Sequence, residues 1–182
     1  MTDMDLRSYC MYAMERGATD AKQVHPGSVV TAPWVRLKCQ FGCPMYGKGY
    51  CCPPESPSPE QTRAIIDCYR RAILFHHKVI KKEGESRRKT SNEYYEMLVE
   101  LEGTMFKDGH YKAFVFLAGH CDHCKVCSKM EEKPCNFGAR ARPSMEASGI
   151  DVYQTARNNG FFIKPLKDKF EDWNFYCLML VD

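Results

Sequence analysis

No apolar run in this sequence approaches the roughly 20 residues that cross a bilayer. The opening MTDMDLRSYC has acids where a secretory leader carries a basic flank and an apolar stretch. These two absences lead to the expectation of a cytoplasmic chain with no membrane partner. Charge of one sign is also missing: 26 basic side chains face 23 acidic ones, for a formal net charge of +3. So weak a balance is no footprint of nucleic acid. There is no internal repeat, low-complexity tract or long linker. Phosphate-cradling glycine loops and the H-E-x-x-H zinc helix are absent. So is the C-x3-C-x2-C pattern of enzymes that make radicals from adenosylmethionine.

What the chain has is cysteine: 11 among 182 residues. At this length and 44% hydrophobic content, a single domain over 1–182 can bury a core without cross-links. In a reducing compartment these cysteines are not expected to form disulfides, and an odd count fits a disulfide framework poorly. Metal ligation is the leading account.

Patterning gives an α/β expectation. Leu6, Cys10 and Met14 recur at helical spacing. Residues 29–37 read as a strand leading into the first cysteine group. Residues 57–72 read as a helix capped by Ser58, with Ile65, Tyr69 and Ala72 on one face. The apolar run 73–80 is a strand, and the mixed-charge run KKEGESRRK at 81–89 a solvated loop. Ser91 caps a helix that carries Tyr94, Leu98, Leu101 and Met105. Residues 111–118 form a buried strand leading into the second cysteine group. Residues 144–159 are helical in two pieces broken at Gly149, and 175–181 form a last strand. The expected architecture is a small mixed sheet packed with helices, with two cysteine-rich metal loops following strands. Loops at strand ends are usual places for ligand sites.

Cys121, Cys124, Cys127 and Cys135 form C-x2-C-x2-C-x7-C. The two-residue gaps let a tight loop turn three thiolates toward one centre, and the fourth closes the cage. Cubane iron–sulfur clusters use this triple spacing, although here the last gap is longer than the ferredoxin one. Zinc is the alternative, but it prefers two pairs separated by a spacer. His120 and His123 flank the group as neighbours rather than ligands, because four thiolates suffice.

Cys39, Cys43, Cys51 and Cys52 lie in KCQFGCPMYGKGYCCPP. Adjacent cysteines diverge, so Cys51 and Cys52 do not readily serve one cluster. Cys52, held extended by Pro53, is the stronger third ligand beside Cys39 and Cys43. The fourth position stays open to Cys51, Cys10, Cys68, Cys177, water or substrate. Cys10, Cys68 and Cys177 sit among apolar neighbours and read as small buried hydrophobes. Lys48, Lys125, Lys133, Arg140 and Arg142 are available as cations near anionic thiolate centres. For Arg140 and Arg142, surface pairing with glutamates such as Glu146 is the plainer expectation.

Three blocks occur in order: KCQFGCPMYGKGYCCPP, then CDHCKVC with the distant Cys135, then ARPSMEASGIDVYQTA. Together they resemble the uncharacterised predicted metal-binding family known as domain of unknown function 2284 (DUF2284), from about Met11 to the end. The resemblance implies a stand-alone metal-binding domain, found mostly in anaerobic bacteria and archaea. It puts Cys39, Cys43 and Cys52 in one group and Cys121, Cys124, Cys127 and Cys135 in the other. Cys51 departs from that pattern.

Three functions follow. The first is an electron-transfer or redox-accessory protein with two [4Fe-4S] clusters and a redox partner protein. The second is an enzyme using an open iron at Cys39, Cys43 and Cys52 on a small anionic or sulfur-containing substrate. The third is a zinc-braced adaptor.

Overall fold

Two long apolar segments set the centre of the fold. In the computed structural model, which describes residues 5–80, 87–168 and 171–182, these become strands β2 (Ala72–Val79) and β4 (Trp173–Leu180). They pair antiparallel, Ala72 opposite Leu180 through Val79 opposite Trp173. The short edge strands β1 (Asp20–Val24) and β3 (Phe114–Phe116) flank them in the order β1-β2-β4-β3. Every pairing between these strands is antiparallel, so the sheet is not the mixed one expected.

β2 and β4 are nearly continuous in apolar residues because both faces of the sheet are covered. Ile73, Phe75, Val115, Cys177 and Met179 pack on one face with Leu6, Cys10, Leu98, Leu101 and Met105. Those partners come from α1 (Arg7–Glu15), its N-cap Leu6 and α4 (Arg87–Lys107). Ala72, Leu74, Phe116, Tyr176, Leu178 and Leu180 pack on the other with Ile66, Met145, Ile150 and Ala156. This second layer holds α3 (Pro59–Ile66) and α5 (Val152–Asn158).

The differences from expectation have local causes. Residues 29–37 are not a strand. Pro33 takes the first turn of helix α2 (Pro33–Gly42), where its missing N–H costs nothing. The first cysteine group therefore follows a helix. Ser58 does cap α3, in a full capping box with Gln61, but the helix stops at Ile66. It buries Pro59, Thr62 and Ile66 rather than Ile65, Tyr69 and Ala72. Ser91 lies inside α4, which begins at Arg87. Of the loop expected at 81–89, residues 81–86 lie outside the described ones and the remainder opens α4. β3 keeps only three residues of 111–118. Of the two helical pieces expected in 144–159, the first is a series of turns and only α5 is a helix. Among the described residues, no helix is long and apolar enough to cross a membrane.

Candidate metal centre

The C-x3-C spacing is one helical turn, and the fold uses it as such. Cys39 lies in the last turn of α2, and Cys43 is the residue that caps it, its N–H donating to Cys39 O at 3.2 Å. Pro33, with Val35, Cys39 and Cys43 at four-residue steps, was the sequence signal for this helix. Beyond Cys43 the chain folds tightly back. Gly47, at φ +75°, donates its N–H to Pro53 O at 2.8 Å, and Cys52 N–H reaches Gly49 O at 3.1 Å. Two anchors fix this loop to the core. Ser56 Oγ donates to Ala147 O at 2.6 Å, and Arg36 donates to Ser56 O at 2.9 Å.

The second cysteine group leaves the sheet beyond β3. A neck pins it there: Leu117 N–H donates to Pro143 O at 3.0 Å and Met145 N–H to Leu117 O at 2.8 Å. Charge holds its flanks against α4. Arg142 pairs with Glu102 at 2.6 Å, and both side chains are largely buried. Arg140 bonds Glu96 and Glu100, and His123 lies 3.3 Å from Glu96 while stacking on Phe137. The arginines thus pair with glutamates as expected, but with those of α4 and not with Glu146. His120 lies 3.0 Å from Asp122.

The two loops touch. Tyr50 Oη donates to Lys133 O at 2.8 Å, and Lys129 reaches Gly47 O at 3.1 Å and Glu55 at 2.8 Å. Between them the thiols line two cavities, each of about 440 Å³. Cys39, Cys43 and Cys52 share the first with Trp34, Tyr46, Glu146, Tyr153 and Phe175. Cys121, Cys124, Cys127 and Cys135 share the second with Cys51 and, again, Cys52. Gly49 sits where the two sets meet. A Cβ added there would lie 3.8 Å from Cys52 Sγ and 4.0 Å from Cys127 Sγ.

Cys51 does not share a cavity wall with Cys39 and Cys43; it lines the second cavity together with Cys121 and Cys52. The interaction between the Cys51 and Cys121 thiols pulls Cys121 down and pushes Cys51 up. Burial pushes Cys52 up to about 11, with help from the nearby Cys43 and Cys39, and raises Cys39 as well. Among the described residues, no three His, Cys, Asp or Glu side chains converge as ligands of a single metal ion would. The thiols instead stand around cavities.

The remaining cysteines divide. Cys10 and Cys177 are buried in the core beside α1 and α4, and burial raises both thiols. Cys68 is exposed just past α3, contrary to the buried role expected of it. Neither Cys10, Cys68 nor Cys177 lines either cavity, so none supplies a fourth thiol to the first.

A family model described as "Predicted metal-binding protein (DUF2284)" matches residues 22–181. No curated protein and no solved structure matches the chain.

Proposed function

Since the chain belongs to the DUF2284 family of predicted metal-binding proteins, we propose that it is a two-centre iron–sulfur protein that passes electrons to a redox partner protein. Cys121, Cys124, Cys127 and Cys135 would hold one cluster, and Cys39, Cys43 and Cys52 the other. The observation that carries this reading is the meeting of the two sets beside Gly49, where a Cβ would lie 3.8 Å from Cys52 Sγ and 4.0 Å from Cys127 Sγ. Such clusters, when bound, take up and release single electrons. The donor sets fit polynuclear groups better than single ions. A zinc ion gathers four thiolates at about 2.3 Å from one point, whereas these thiols ring cavities of about 440 Å³ without converging.

The chain's own residues do the rest. The loop from Cys43 to Cys52 closes on its own backbone and keeps Cys52 buried. Lys129 and Tyr50 hold the loops in register, so the separation of the two sets is fixed by polar contacts rather than by chance approach. Hydrogen bonds toward thiolate sulfur and exclusion of water are the levers by which a protein tunes such centres.

One observation favours a second reading, an enzyme acting at the three-cysteine set. The first cavity has no fourth thiol on its wall and is lined by Trp34, Tyr46, Tyr153 and Phe175. A small molecule with a flat apolar face suits that lining. Lys38, Glu146 and Asp151 also stand on the wall, so the lining offers both signs of charge to a small anionic or sulfur-containing molecule.

Iron and acid-labile sulfide analysis of anaerobically purified protein tests the main reading. The expected content is roughly eight of each per chain. Colourless protein with stoichiometric zinc and no sulfide would rule out both readings together.

A further inference from the structure

The spacing pattern assigns seven cysteines and leaves Cys51 over. In the fold Cys51 is half-buried, lines the cavity of the second set, and is absent from the wall that Cys39 and Cys43 share. Cys121, Cys135 and Cys52 line that second cavity with it. The bond from Tyr50 Oη to Lys133 O holds the segment before Cys51 against the one before Cys135. This placement is therefore built into the contact between the loops.

Cys51 and Cys121 stand on the wall of the same cavity. We infer that Cys51 is a fifth thiol of the second site, interchangeable with Cys121 as a ligand to a thiophilic metal centre. The inference rests on the reading that the second set binds such a centre. It also makes the Cys51-Cys52 dipeptide the seam of the molecule, since Cys52 lines both cavities and Cys51 the second alone. Four ligands drawn from five thiols give the second site a spare, so it tolerates loss of either member of the pair.

The test compares Cys51→Ser, Cys121→Ser and the double variant, reconstituted anaerobically as whole chains. Each single variant is expected to keep iron and sulfide near the wild-type content. The double variant keeps three thiols, as at the first site, and is expected to lose iron and sulfide to chelation at a dose that leaves both single variants loaded, a non-additive result. Loss of the second centre from Cys121→Ser alone overturns the inference, as does a double variant no more labile than Cys121→Ser.

A second measurement works on the metal-free wild-type chain, whatever metal the protein carries and however the variants fold. Diamide oxidises a vicinal thiol pair to a disulfide, taking two electrons and two protons onto its N=N bond. Peptide mass spectrometry is expected to find Cys51 joined to Cys121. A Cys51–Cys39 or Cys51–Cys43 disulfide overturns the inference. Zinc without iron in the wild type would sink the iron–sulfur reading, yet the partner of Cys51 would still decide this one.

Discussion

From Cys39 to Ser56 the chain leans on the core, whereas from 119 to 143 it stands away from it. The first stretch starts on a helix, buries Cys52 and Pro53, and ties Ser56 to the turn at Ala147. In the second, Ser128 is the single buried residue, and no strand or α-helix forms. Its attachments are at the edges: the neck at Leu117, the ion pairs to α4 and the contacts with the first loop. A connection this long without a core of its own needs a ligand or strong flanking contacts to hold one shape. The contrast teaches that one site is shaped by the fold before any metal arrives, and the other largely by what it binds.

The largest effect expected from that contrast is on metal removal. Chelation under reducing conditions should speed amide exchange across 119–141 on the order of a thousandfold, because metal binding is folding energy for such a segment. Exchange across 33–56 should change far less. Equal deprotection of both stretches, seen by exchange mass spectrometry, would erase the distinction.

Next comes Glu102→Ala. It strands a buried Arg142 and removes the acceptor of Val115 N–H, 2.8 Å away. The expected loss is about 3–5 kcal/mol, read as a lower unfolding midpoint in urea. Glu102→Gln keeps a hydrogen-bond acceptor and should lose less.

A smaller contrast concerns reactivity in the metal-free chain. Cys51 lowers the Cys121 thiol, whereas burial raises the Cys52 thiol to about 11, so at pH 7 Cys121 carries the larger thiolate fraction. A low-pKa thiolate is a weaker nucleophile, which gives back part of the advantage. Iodoacetamide should still modify Cys121 about tenfold or more faster than buried Cys52. Comparable rates would show the two sets to be electrostatically alike.

The smallest effect belongs to Ser56→Ala. Its hydroxyl satisfies the buried Ala147 carbonyl, so the change should cost about 1–2 kcal/mol. It should leave exchange across 119–141 untouched. A coupled loosening of both loops would mean that the first loop supports the second.

Much of the sheet was legible because β2 and β4 are largely buried on both faces and read as nearly continuous apolar runs. β1 was not, since DAKQV is a short edge strand with polar residues facing outward. The β-branched Val29, Val30, Thr31 and Val35 suggested a strand, and Pro33 outweighed them by starting α2. In the cysteine groups, spacing suggested two sets, and the fold puts each set on a cavity of its own, with Cys52 on both. Spacing could not reveal where Cys51 goes, because its neighbour Cys121 lies 70 positions away in the chain. The glutamates that hold Arg140 and Arg142 were hidden for the same reason: they belong to a helix whose docking only the fold determines.

If the chain holds the two proposed centres, Gly49 is a place where the passage of charge between them can be altered without touching a ligand. Tunnelling between two centres falls steeply with separation, and at this position the protein contributes no side chain. A Gly49→Leu chain keeps every cysteine but puts a branched hydrocarbon beside Cys52 and Cys127, so that one of the two must shift. If both centres fill as in the wild type, slower passage of charge between them would mark residue 49 as the insulation gap of the protein.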